Sequence, residues 1–333
     1  MRKRLGMLLL CLSLMLFFAA CVWRPASIEQ QQEKEEHLQT PPAEDEWSKL
    51  ESEVESTPAE RFIFTNENYP AMGGSLAALP LGEAITAAAL GITRQEAAER
   101  LVFTGSTTDN YHALVNGIFD ILLAYEPSAE AKQYAEDMDF TWEMTPIGRD
   151  ALVFITNAEN PVMSLTPEEI RAIYSGELTN WAELGGMDAK IIPYQRNRDS
   201  GSQTLFDLFF PLGDELMTPP ADYLIDSMLG LLEVIADYDD STNALGYTVY
   251  YYLTNMETDK LSRSKILAIN GIEANNETIA SNEYPYCNDF YVVIDASLPA
   301  DDPARILYNW ICSEQVRELG ERENYVMLQY FSL

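Results

Sequence analysis

The chain has 333 residues, a formal net charge of −32 and only two histidines. A surface this acidic excludes nucleic acid as a partner, because phosphate backbones require a basic face. Four cysteines with no metal-ligand spacing among them give neither a disulfide framework nor a metal centre.

Arg2-Lys3-Arg4 followed by an apolar run from Leu5 to Ala20 is the charged and apolar pattern of an export signal. Ala19-Ala20 stand directly before Cys21, as in a bacterial lipobox, with Phe18 three positions before the cysteine where Leu is usual. The expectation is a signal over 1–20 and lipidation at Cys21. An uncleaved anchor is the alternative, since the apolar stretch through Trp23 is just long enough to span a bilayer. Both readings place the remaining chain outside the cytoplasm, tethered to a membrane. Residues 21–60 are rich in Glu, Gln, Pro and Ser, bury too little to offset their ordering entropy, and read as a disordered acidic tether. A short helix over Trp47–Val54 is possible within it.

About 270 residues follow, enough for two lobes of ordinary size. Tyr69-Pro70-Ala71-Met72-Gly73-Gly74-Ser75-Leu76 leads into an Ala-rich helical pattern through Leu90. Ser75 suits an N-cap and, as the other reading, a ligand contact. Val102-Phe103-Thr104-Gly105-Ser106-Thr107-Thr108 is a short strand ending in hydroxyl residues, with a helix after it in which His112 reads as a surface residue. Ile118–Ala124 reads as a buried strand ending at Tyr125-Glu126, before a polar helix through Met138. Strand, turn and helix thus recur, which argues for an α/β unit whose ligand sits beyond the carboxyl ends of the strands. Glu126 is either part of that site or a solvated acid at a strand end.

Thr145–Asp150 leads into the apolar Ala151–Ile155, a crossing into a second lobe. Thr166-Pro167-Glu168-Glu169 carries the cap hydroxyl, the first-turn proline and the third-position glutamate of a helix start, and that helix should end near Tyr174. Tyr250-Tyr251-Tyr252 reads as a helix packed between lobes, Phe290–Ile294 as the last strand, and Pro303–Leu319 as one closing helix. Cys287 and Cys312 are expected as free or buried thiols.

The most telling segment is Gln195-Arg196-Asn197-Arg198-Asp199-Ser200-Gly201-Ser202-Gln203-Thr204, set between the apolar Ile191–Tyr194 and a helix starting near Leu205. The first N–H groups of a helix lack internal partners and carry its positive pole. With a guanidinium, two hydroxyls and a glycine, such a turn can hold a tetrahedral oxyanion. The competing reading is an ordinary N-cap with surface arginines.

Several runs together resemble the phosphate-binding proteins of bacterial ABC importers. They are Asn157–Val162, Leu165-Thr166-Pro167-Glu168-Glu169-Ile170, Ser175–Trp181, Arg196 with Ser200-Gly201-Ser202-Gln203-Thr204, and Gly246-Tyr247. The resemblance spans roughly 61–330 and implies an α/β, two-lobed type II periplasmic-binding-protein fold, each lobe a mixed, largely parallel sheet flanked by helices. Lobe I would comprise 61–149 and 289–333, and lobe II 150–288. It implies an anion held by Ser75, the N–H of Leu76, Thr107 (with Ser106 or Thr108 as alternatives), Glu126, Arg196, Ser200, Gly201 and Ser202. The family usually has Asp at Glu126 and Thr at Ser202, and an acidic residue is common at Arg198.

The implied activity is capture of inorganic phosphate and its delivery to a membrane ABC permease, by a monomer with no cofactor, metal or catalysis. A carboxylate at Glu126 would accept a hydrogen bond from protonated phosphate, which sulfate cannot offer. A phosphate-ester hydrolase would need a nucleophile with a base or a metal cluster, and the chain offers neither. A sensing or interaction lipoprotein, or a binder of tungstate or molybdate, are the other readings.

Overall fold

The structure is a computed structural model that describes residues 64–104, 106–219, 223–237 and 241–329. The export signal, Cys21, the tether and the Trp47–Val54 helix lie outside these residues.

The strands in chain order are β1 Met72–Ser75, β2 Val102–Thr104, β3 Ile121–Ala124, β4 Trp142–Asn157, β5 Ser164–Leu165, β6 Ile192–Pro193, β7 Gln195–Arg196, β8 Leu224–Ile225, β9 Ala244–Val249, β10 Ser264–Ile266, β11 Ala268–Ile269, β12 Cys287–Asp295 and β13 Val326–Met327. The main sheet runs β2-β1-β3-β12-β4-β9-β6, with β10 and β13 also on β4. It is mixed, as expected. β2, β1 and β3 are parallel, as are β6 and β9, while β12 and β4 are antiparallel to their neighbours.

The 16-residue β4 joins two half-sheets. Its residues 142–151 pair with β12, and residues 152–156 pair with β9. The apolar run Ala151–Ile155 is buried throughout, as is β9, because both faces of this part of the sheet are covered. The expected crossing at 145–155 is therefore one continuous strand whose partners change.

Local chemistry explains most helices. Thr166 and Glu169 form a reciprocal capping box for the Pro167–Ser175 helix, which stops at Gly176 in the left-handed region, φ 82°. Thr93 and Glu96 do the same for Arg94–Ala98. The Ala-rich helix spans Leu79–Leu90. Under the second half-sheet an aromatic core of Phe154, Tyr174, Phe206, Phe210, Tyr247 and Tyr286 seats the Gly201–Phe209 helix, with Phe206 stacked on Tyr247 at 4.7 Å.

Three expectations are corrected. Ile118 is exposed and precedes β3, which starts only at Ile121. The closing helix is two, Pro303–Ile311 and Glu314–Arg322, because the chain leaves helical geometry at Ser313, where φ is −89° and ψ 162°. β12 is followed by β13 rather than being the last strand, whereas the triple tyrosine is helical as expected and runs into a π-helical turn over Tyr252–Met256. Cys287 and Cys312 are free, half-buried thiols.

Candidate oxyanion site

Four turns at strand ends meet at one place. The Gly201–Phe209 helix is capped by Ser200, whose hydroxyl accepts from the Gln203 N–H. The Thr107–Val115 helix is capped by Ser106, accepting from the Asp109 N–H. Their caps touch, since Ser106 and Ser200 form a β-bridge and the Thr108 N–H donates to the Asp199 carbonyl at 3.4 Å. Thr108 and Ser128, the cap of the Ala129–Asp137 helix, share a 2.8 Å hydrogen bond. A Cβ on Gly201 would lie 2.5 Å from Thr107 Oγ1, so only glycine admits that hydroxyl.

Between these turns is a cavity of about 20 Å³. Pockets for drug-sized ligands measure roughly 300–1,000 Å³, whereas this one has room for little more than a water-sized group, roughly 10–15 Å³ being needed for one water. Ser75, Leu76 and Ala77 line one side, Thr107 and Tyr125 the strand ends beside it, and Gly201 and Ser202 the facing helix head, with Met228 and Val249 completing the wall. Ser75 occupies the N-cap position of the short helix Leu76–Ala78 but makes no cap bond, and its buried hydroxyl has no partner among the described residues. That hydroxyl is therefore available to the cavity, the less ordinary of its two expected roles.

Arg196 supplies the charge. It is 2% exposed. Nε and Nη2 donate to the carbonyls of Ile225 and Asp226, each at 3.0 Å, and Nη1 donates to Ser202 Oγ at 3.3 Å. Among the described residues no carboxylate pairs with it. Burial lowers its pKa to about 10, so it stays cationic at neutral pH. Its direct partners are all neutral, with the Asp226 carboxylate acting on it only without contact, and a negative group in contact would offset the cost of its burial. The Tyr247 hydroxyl fixes the turn by accepting from the Arg196 N–H at 3.2 Å while donating to Gln203 Oε1.

Of the eight expected residues, Ser75, Leu76, Thr107, Gly201 and Ser202 line the cavity. Arg196 stands behind Ser202, and Ser200 acts as the cap of the Gly201–Phe209 helix. Glu126 is not brought to the lining. Its carboxylate is one-third exposed, and Oε1 accepts from Lys132 Nζ at 3.2 Å. Arg198 is exposed and does not join the site. Among the described residues no group of three or more His, Cys, Asp or Glu is placed to hold a metal, and no helix is long and apolar enough to cross a membrane.

A family model for the PBP superfamily domain matches residues 80–315, more than half of the chain. The chain belongs to the PBP superfamily. Among relatives of this PBP protein are the phosphate-binding protein PstS of Borreliella burgdorferi and that of Bacillus subtilis. The first is 28% identical over 185 residues, covering 54% of this chain and 63% of the relative. The second is 33% identical over 138 residues, covering 40% of this chain and 42% of the relative. The chain thus spans less than two thirds of the length of either. Two solved structures share the fold. A Clostridium perfringens protein with bound phosphate has a TM-score of 0.62 at 23% identity, covering 79% of this chain and 100% of its own. An ABC-type phosphate transport receptor from Vibrio cholerae has a TM-score of 0.58 at 20% identity, covering 77% and 99%.

Sequence reasoning missed Tyr125, Met228 and Val249 as lining residues of this PBP domain. Tyr125 adjoins the carboxylate that drew attention instead, and its own signal was its place at the end of a buried strand. Asp150 was also passed over. An acid heading the apolar run Ala151–Ile155 is a visible anomaly, because an acid there must be buried and held.

Proposed function

We propose that this PBP protein captures inorganic phosphate, or a closely related tetrahedral oxyanion, outside the cytoplasm and hands it to an ABC permease. The observation that carries this reading is Arg196: a buried guanidinium without a carboxylate partner, beside a helix head and an unpartnered Ser75 hydroxyl at one small cavity. The names of the PstS relatives support phosphate as the anion. Ser75, the Leu76 N–H, Thr107, the N–H groups of Gly201 and Ser202, and the Ser202 hydroxyl are the donors that replace water around the anion. Arg196 supplies the charge, and Ser200 holds the helix head in place.

The protein binds without turnover. The lobes are the two half-sheets, 61–149 with 289–333 and 150–288, hinged where they meet on β4 and closing on the anion. A lipid on Cys21 and the 21–60 tether keep the monomer near the permease. Glu126 acts as the acceptor for protonated phosphate by leaving Lys132. That exposed pair is worth only about 0–1 kcal/mol, so exchanging it for the ligand costs little.

Calorimetric titration of the full chain with phosphate, sulfate, tungstate and molybdate tests the reading. Binding of phosphate ahead of sulfate is the expected result, and heat from none of the four would overturn it. Labelling of Cys21 with a radioactive fatty acid, lost in Cys21→Ser, tests the anchor. Uptake of phosphate in cells lacking this protein tests the transport role.

A further inference from the structure

We propose that Asp150 is a positioning residue for the oxyanion site: its buried carboxylate fastens Tyr125, a cavity wall from the first half-sheet, to the backbone that follows Val249, a cavity wall from the second. The proposal rests on the anion reading given above and adds to it a residue outside the lining.

Asp150 is 2% exposed and sits on β4 where the pairing passes from β12 to β9. Oδ2 accepts from the Tyr125 hydroxyl at 2.7 Å. Oδ1 accepts from the N–H groups of Ala151 and Tyr251 at 2.8 and 3.0 Å. Tyr251 follows Val249 by two residues. Its ring stacks on Tyr325 at 3.7 Å, and the Tyr325 hydroxyl donates to the carbonyl of Ala77, another lining residue, at 2.7 Å. Tyr125 is held from its other side as well, since the Tyr111 hydroxyl donates to the Tyr125 carbonyl at 2.8 Å. Three parts of the cavity wall are thus within one to three contacts of a single carboxylate.

No cation offsets that carboxylate among the described residues. The neighbouring Arg149 gives its guanidinium to Asp289 at 2.9 Å. An isolated buried carboxylate is retained at a cost, and here what it holds together is the two halves. Burial pushes its pKa up to about 6, against four donors that pull it down, the Tyr125 hydroxyl and the N–H groups of Ala151, Tyr251 and Tyr250. The titratable and charged groups around it are Tyr125, Tyr250, Tyr251, Cys287 and the Arg149–Asp289 pair. The phenols and the thiol are all pushed upward by burial, so they do not titrate between pH 5 and 7.5.

A carboxylate only accepts hydrogen bonds, and all its partners here donate. Asp150→Asn puts an NH₂ against one of those donors. Tyr125→Phe removes one donor and leaves the ring in the wall. Phosphate is titrated calorimetrically into the full-length wild type, both single variants and the double variant at pH 7.5 and 5.0, with melting temperatures taken alongside. At pH 7.5 each single variant should bind phosphate at least fivefold more weakly, and the double variant no more weakly than the worse single. At pH 5.0 the ratio between wild type and Asp150→Asn should shrink, because the wild-type carboxyl is then largely neutral.

Asp150→Asn within twofold of wild type would overturn the proposal, as would single losses that multiply in the double variant or a ratio unchanged with pH. Where Asp150→Asn does not fold, Tyr125→Phe decides alone, and affinity within twofold of wild type counts against the proposal. Wild type that binds neither phosphate nor sulfate sinks the anion reading itself and the proposal with it. Wild type that binds normally beside unaffected variants sinks only the proposal.

Discussion

One half-buried arginine and one fully buried arginine of this domain have surroundings that differ in kind. Arg94 reaches Glu83 at 2.9 Å and Glu323 at 2.8 Å, a cation between two acids that ties the Arg94–Ala98 helix to the end of the Glu314–Arg322 helix. Arg196 reaches two carbonyls and a hydroxyl, and no acid among the described residues. The first is complete within the fold. The second is held by neutral groups with only the field of Asp226 against its charge, the difference expected between a structural cation and one proposed to recruit a ligand.

The contrast is broken most directly by removing each charge. Arg196→Met should abolish measurable phosphate binding, a loss of a hundredfold or more, while changing the melting temperature little, because the buried cation it deletes has no carboxylate in contact among the described residues. Arg94→Met should do the reverse, destabilising by roughly 3–5 kcal/mol through two stranded acids while folded protein keeps its affinity. Equal effects on binding and melting from both variants would erase the distinction.

Smaller changes sharpen it. Ser75→Ala and Thr107→Val each delete a hydroxyl at the cavity and should weaken phosphate about tenfold, the size of one or two hydrogen bonds near ~1 kcal/mol each. Calorimetry showing no change for Ser75→Ala would mean that its unpartnered hydroxyl is not used. Raising pH also separates the two sites. Burial holds Arg196 near 10, below the ordinary guanidinium, so it is charged below that pH and loses its charge above it. Arg94 is raised by its two acids instead. Binding of sulfate, which keeps one protonation state, should therefore stay flat from pH 7 to 9 and fall through pH 10. The smallest effect is expected from Glu126→Gln, which should narrow the preference for phosphate over sulfate a fewfold. An unchanged ratio would remove Glu126 from selectivity.

What could be read from the sequence was what is local. The Thr166–Glu169 capping box involves neighbours only, and so does the Arg196 turn with its Ser-Gly-Ser helix head; both were legible because their chemistry lies within a few residues. The anion turn at Ser75 was legible for the same reason, although its hydroxyl leaves the cap unbonded. The closing helix was misread because helical propensity continues through Cys312 and Ser313, and only the backbone at Ser313 reveals the break. Asp150 stands out in the sequence as an acid ahead of an apolar run, but what it holds was not legible, because its partners come from positions 125 and 251 and are set by the changeover on β4. The side chain of Glu126 was also beyond the motif itself, since its orientation depends on Lys132, six residues on in the Ala129–Asp137 helix.

The bridge between Ser106 and Ser200 places the positive ends of two helices side by side, next to a third positive centre at Arg196. Each helix end carries about half an elementary charge, so like poles are pressed together across the join between the two half-sheets. The contact is under electrostatic tension that falls when something negative lies between the poles. On the proposed reading, the charges that would select an anion would also make it an adhesive, so that grip on the ligand and cohesion of the halves become one quantity.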